Sequence, residues 1–314
     1  MWGVRFSAAV LLAALSIAAV YAQDECSALA TEAIIRANAA CAQISSNEAC
    51  YGYSAVEAEF QPLIDPIPFD EAGHLAAITD ILTLQTLPLT PQLNEWGIAL
   101  LHVQPNLPDV LPGQHVTFLL FGSAELQRSD SDDNTPQEPM RVFRLETGIV
   151  QTRCRELSSD GLIIQTPRGA GDIAFTINGV NVNVGSTIWF EAQPEGAMIV
   201  RTLEGSAEVE VDGVVQIADE GTFVSVPMDE DLEPDGPPEE PEAFVIEEDE
   251  WLLPLEMLDE EITLDTLMDN SVTDDSTGTN ASSSSDSDDD NSDDTETGDE
   301  QAPPDGDGGG EDGG

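Results

Sequence analysis

The chain has 314 residues and a formal net charge of −53, with 62 Asp and Glu against nine Lys and Arg. Every basic residue is an arginine. Such a chain can neither neutralise phosphates nor profit from counterion release, so nucleic acid and anionic membranes are excluded as partners.

The first 22 residues read as an export signal. Arg5 precedes the apolar run "FSAAVLLAALSIAAV", and Val20-Tyr21-Ala22 places small residues at the −3 and −1 positions of a cleavage site. The run is too short to span a bilayer, which takes roughly 20 residues. No later run reaches that length, so a secreted or extracytoplasmic chain beginning at Gln23, without stable membrane insertion, is expected.

The expected fold class is α+β. N-terminal helices with a short disulfide-bearing β region fill 23–155, an all-β domain of stacked hairpins fills 156–228, and a disordered acidic tail fills 229–314. Cys26, Ala30, Ala33, Ala37 and Cys41 share one helical face. A second helix is expected after Asp70 as N-cap, with Leu75, Ile78 and Leu82 on one side. "WGIALLHV" (96–103) and "HVTFLLF" (115–121) are apolar on both faces and read as buried strands. "RSDSDDNTPQEP" (128–139) is an exposed loop, and "MRVFRLETG" (140–148) returns as a strand.

From Gly161 the pattern is almost purely β. Asn178-Gly179 and Asp212-Gly213 supply the positive φ that two-residue hairpin turns demand. These corners head a weak internal repeat and predict two similar hairpins that stack. Order is expected to end at Pro227, with a protease-resistant core closing near Met228. Residues 270–314 are Ser/Asp/Gly-rich low complexity. One apolar island, 243–268, interrupts the tail and is expected to dock back on the β domain.

Cys26, Cys41, Cys50 and Cys154 predict two disulfides in an exported protein. A helix over 26–41 holds its ends about 22 Å apart, too far for a bridge between Cys26 and Cys41. Cys41–Cys50 with Cys26–Cys154, and Cys26–Cys50 with Cys41–Cys154, both remain open. No close pair of the C-x-x-C kind suggests zinc.

Chemistry is sparse. His74, His102 and His115 are the three histidines, and none forms H-E-x-x-H. His102 and His115 flank one strand connection and can meet across a hairpin, where a structural or solvent-facing role is expected. No nucleophile elbow, P-loop or dinucleotide fingerprint occurs, and no catalytic residue, metal site or cofactor is expected. Trp96 and Trp189 read as core. "DSDDDNSDDTET" (286–297) lacks the glycine and the bidentate Glu of a calcium loop, leaving weak divalent-cation association by the tail.

Two stretches resemble known modules. "CAQISSNEACYGY" (41–53) is similar to a Cys-x5-Asn-x2-Cys-Tyr-Gly module of secreted bacterial proteins. Thr166-Pro167, Gly185-Ser186-Thr187, "VRTLEGSAEVEVDG" and "DEGTFVSV" resemble the C-terminal half of a FecR-type domain. That resemblance implies a periplasmic β domain, in some members a relay between an outer-membrane receptor and an anti-sigma apparatus. The expected function is non-catalytic recognition of an extracellular or envelope protein through a β scaffold. The alternative is a FecR-like sensor acting with a separate membrane partner, and the third is a carbohydrate-active hydrolase.

Overall fold

A computed structural model describes residues 25–62, 67–104, 114–129, 140–150, 154, 160–244, 249–260 and 262. The signal segment 1–22, the calcium-loop-like 286–297 and the low-complexity 270–314 lie outside the described residues.

Helix α1 spans residues 25–41. Its face of Cys26, Leu29, Ala30, Ala33, Ile34, Ala37 and Cys41 is buried. The opposite side carries the exposed pair Glu32–Arg36 at 2.6 Å, one turn apart. The strands that follow are β1 (Glu48–Tyr51), β2 (Val56–Phe60), β3 (Leu75–Ala77), β4 (Ile81–Thr86), β5 (Ile98–Val103) and β6 (Val116–Phe121). Then come β7 (Ala124–Arg128), β8 (Val142–Thr147), β9 (Gly161–Gln165), β10 (Ile173–Ile177), β11 (Val180–Val184) and β12 (Thr187–Ala192). The series ends with β13 (Ala197–Glu204), β14 (Ser206–Val211), β15 (Val214–Asp219), β16 (Thr222–Pro227), β17 (Glu242–Ala243) and a 3-10 segment, Asp249–Met257.

The strands form two sheets. The first has the order β17-β16-β13-β12-β9-β6-β5-β1-β3, the second β15-β14-β11-β10-β8-β7-β4-β2. Both therefore follow chain order almost strand by strand, with only β1 and β3 exchanged. The two inner faces share one core that runs from Ala49 to Leu232. Phe118 of β6 meets Phe143 of β8 and Phe175 of β10 there, edge to face, at 5.7 and 5.6 Å.

A second apolar layer covers the outer face of the first sheet. α1 and the 3-10 segment pack over Ile98, Leu100, Leu119, Phe121, Ile163 and Trp189. This explains why β5, β6 and β9 are buried at every position, as the two-sided apolar pattern of β5 and β6 predicts. Gly161 opens β9 because a Cβ there would lie 2.3 Å from Trp189 Nε1 and 2.9 Å from Phe190 O.

Several sequence expectations are corrected. The fold is mostly β with one N-terminal α-helix, and the stretch after Asp70 is not α-helical. The stretch forms β3, a short 3-10 turn at Ile78–Asp80 and β4 instead. Ile78, Thr79, Ile81, Thr83 and Thr86 are β-branched and favour the pleated surface, and β4 finds partners on both sides in β2 and β7. Asp70 sits in a turn where the Asp70 and Glu71 amides donate to His74 Nδ1, at 3.4 and 3.3 Å.

The stretches 23–155 and 156–228 share both sheets, so the boundary at 155/156 does not divide the structure. The chain also continues along the sheet past Met228. Leu232 enters the core at 1% exposure, and β17 pairs with β16. The backbone amides of Glu239 and Phe244 donate to Ser225 O and Gly221 O. A Pro-rich chain can lie extended there because one buried leucine and these bonds hold it.

Of the two open disulfide pairings, the structure has Cys26–Cys154 and Cys41–Cys50, with Cα separations of 5.7 and 5.8 Å. Asn178, Gly179, Asp212 and Gly213 all have positive φ. Their hairpins, β10–β11 and β14–β15, lie side by side through the β11–β14 pairing rather than face to face. Asn178 does more than turn the chain: its amide group donates to Leu145 O and accepts from Leu145 N, both at 2.8 Å.

Candidate functional site

One register line across the first sheet is polar. Glu48 pairs with His102, His102 with Thr117, Thr117 with Gln165, Gln165 with Thr187, and Thr187 with Glu204. Strand alternation turns these side chains to the outer face, beyond the rim of the apolar patch under α1 and the 3-10 segment. Four of the six are buried, His102 at 6%, Thr117 at 1%, Gln165 at 3% and Thr187 at 0% exposure.

The C-terminal segment closes over this line. Met257 is buried in the apolar patch, with Leu253, Leu255, Leu258 and Ile262 packed around it. That seating delivers Asp259 and Glu260 onto the polar line. The Gln165 side chain donates to Glu260 O and accepts from Glu260 N, both at 3.0 Å, as a neighbouring strand would. Arg168 holds the Glu260 carboxylate through Nε at 2.8 Å and its backbone amide at 3.0 Å.

Asp259 lies among the histidines. Its Oδ2 accepts from the Thr117 hydroxyl and lies 2.9 Å from His115 Nε2. The same oxygen is 3.6 Å from His102 Nε2, beyond hydrogen-bond reach. The two imidazoles stack at 3.6 Å between centroids with planes 17° apart. Among the described residues neither ring nitrogen of His102 has a hydrogen-bond partner. Gln114, His115, Thr117, Gln165, Asp259 and Glu260 line an open pocket of about 210 Å³ beside the cluster.

The electrostatics follow from this placement. Burial pushes His102 down to about 4, helped by the His115 ring and opposed by Asp259. Hydrogen bonds from His115 and Thr117 hold the Asp259 carboxyl down at about 2, against the effect of its own burial. His102 is thus neutral and Asp259 anionic at neutral pH.

A pH prediction follows for His102. Because its folded value lies below the usual 6.5, the unfolded chain takes up the proton first as pH falls. Its contribution to stability is present above pH 6.5 and is lost as pH falls toward 4, by roughly 3 kcal/mol. Urea unfolding of the protein and of His102→Gln, with a chelator present, should differ by one proton's slope in that window. Parallel curves would show that His102 does not carry the effect.

The sequence-singled residues are scattered. The four cysteines pin α1 and the 41–50 loop, and the Asn-Gly and Asp-Gly corners lie in the other sheet. Trp96 and Trp189 are core at 1% and 2% exposure. His102 and His115 do meet, at the rim of the β5–β6 pair. Asp259 escaped sequence reading because nothing marks it among 62 acidic residues. Its only signal was its place within the apolar island 243–268.

Two solved structures resemble parts of the chain, both described as "a putative anti-sigma factor" from Parabacteroides distasonis. The first is 15% identical over 48% of this chain and 56% of that one, at a TM-score of 0.28. The second is 12% identical over 46% and 60%, also at 0.28. The matched stretch spans little more than half the length of either structure. No protein-family model matches the chain, and no curated protein does.

Proposed function

We propose that the protein acts outside the cytoplasmic membrane as a non-catalytic β scaffold that recognises an extended segment of another envelope or extracellular protein. Two disulfides and the absence, among described residues, of any helix long and apolar enough to cross a membrane support the location. The signal-like pattern of the first 22 residues supports it further.

The observation that carries the recognition reading is the contrast between sheet edges. β17 has two residues and β3 three, too short to template a strand. β2 carries Glu57 and Glu59 and is bulged at Glu59/Phe60. These are ordinary protections against edge pairing. β15 has neither the shortness nor the bulge, and its one acid, Asp219, stands at its last position. It is six residues long, pairs in regular register with β14, contains no Lys or Pro, and exposes Val214, Val215 and Ile217 at 43%, 45% and 51%.

Strand addition to such an edge takes affinity from backbone bonds and selectivity from alternate side chains. Glu208 and Glu210 stand opposite Ile217 and Val215, Asp219 ends the strand, and Asp212 and Glu220 flank it. The fitting occupant is therefore an extended segment with apolar and basic residues in alternation. Self-pairing of β15 is opposed by the repulsion of two chains of net charge −53. FecR-type domains, which residues 161–228 resemble, include members that contact other envelope proteins, in keeping with this reading.

The test uses ten-residue peptides with alternating Arg and Val, read by fluorescence anisotropy and amide exchange. Binding should protect β15 amides and fall about tenfold or more in Ile217→Lys, since a like charge then meets the basic peptide. Binding that ignores Ile217→Lys, or dimerisation through β15, overturns the reading.

A further inference from the structure

We propose that His102, His115 and Asp259 form a binding site for one borderline divalent metal ion such as zinc, which fastens the 249–260 segment to the sheet. The proposal is independent of the β15 edge. Three potential ligand atoms, two imidazole nitrogens and a carboxylate oxygen, lie within 4.8 Å of one another. Tetrahedral bonds of about 2.0–2.1 Å place donor atoms about 3.3 Å apart. The two distances from Asp259 Oδ2, 2.9 Å to His115 Nε2 and 3.6 Å to His102 Nε2, bracket that value.

The second, independent observation is His102 itself. Its side chain is 8% exposed and points into the cluster, and neither ring nitrogen is hydrogen-bonded among the described residues. A buried imidazole without a partner is costly, and a metal ion would satisfy it.

The two rings stack nearly parallel, so their lone pairs do not yet converge. Convergence takes a rotation of each ring about Cβ–Cγ, a soft torsion between sp³ and sp² atoms. His115, 23% exposed at its side chain, has room to turn. Two nitrogens and one oxygen suit a borderline ion, whereas calcium and magnesium take oxygen ligands. A fourth position would face the pocket beside Gln114 and Thr117, open to water or a small anionic ligand.

The ligands come from β5, the residue just before β6 and a residue more than 140 positions further on. One ion would thus close a loop of that length, as a releasable fastening for the segment.

The experiment titrates the full exported chain with zinc chloride by calorimetry and with cobalt(II) chloride by visible absorption. One tight zinc equivalent should appear above shallow uptake by the many other carboxylates. His115→Ala and Asp259→Asn should each weaken that equivalent by at least about 100-fold, since losing a ligand costs no less than losing an outer-shell partner. Cobalt should give the intense bands of tetrahedral coordination, absent from both variants. Zinc should also slow amide exchange at 253–258 in the parent but not in Asp259→Asn. Identical isotherms for the three proteins, or only the weak bands of octahedral cobalt, would overturn the proposal. Both variants change partly exposed side chains, so neither result depends on a core substitution being tolerated.

Discussion

Replacing Cys26 and Cys154 together by alanine is expected to lower stability by about 5 kcal/mol, because the bridge closes a loop with a sequence separation of 128. The chain-entropy argument gives Cys41–Cys50, at a separation of nine, about 2.5 kcal/mol. The long bridge should therefore matter about twice as much, although both tie down the same helix. α1 packs Ala33, Ile34 and Ala37 into the outer apolar layer, so the double variant should still fold, with α1 its least protected element. Urea unfolding of the parent and the two double variants measures the ranking. A smaller loss for the long bridge would mean that packing alone already places α1 in the unfolded ensemble's competitors as well as in the native state.

Phe118→Ala should cost about 3–5 kcal/mol, the usual result of emptying an aromatic site that cannot collapse. Phe118 is 0% exposed and meets both Phe143 and Phe175 across the core. Its removal opens a void between two sheets whose backbones are fixed by ladders on either side. Val214→Ala, at an exposed edge position, should by contrast stay within about 0.5 kcal/mol. Thermal and urea unfolding of the two variants decide the matter. A cost for Phe118→Ala below that of an ordinary surface change would mean that the two layers move together to fill the space.

Much of the sheet architecture is legible from residue pattern alone. The all-apolar runs of β5 and β6 can only be buried on both faces, and the face of α1 reads directly from its 4, 3, 4, 4 spacing. The stretch 75–82 misled because Leu75, Ile78 and Leu82 satisfy a helical spacing while their β-branched neighbours favour strands. Spacing is a weak guide where a strand–turn–strand happens to imitate it. The site was half legible. His102 and His115 lie close together along the chain around one strand connection, so their meeting is a local event. Asp259 reaches them only through the seating of Met257 and its apolar neighbours, a long-range event with no local mark. The same holds for Leu232, one apolar residue in an acidic, Pro-rich stretch, whose burial depends on a core assembled from elsewhere.

The near-coincidence of chain order and spatial order in both sheets has a kinetic consequence. Each strand, as it becomes available, meets an edge laid down shortly before it, so most pairings require closure of only a modest loop. Folding can then advance as a zipper from β1 toward β17, faster than the long-range topology common among sandwiches would allow. A chain threaded through a membrane N-terminus first presents its strands in that same sequence. At every intermediate stage the newest strand is the reactive edge of its layer, and in the finished second layer that strand is β15.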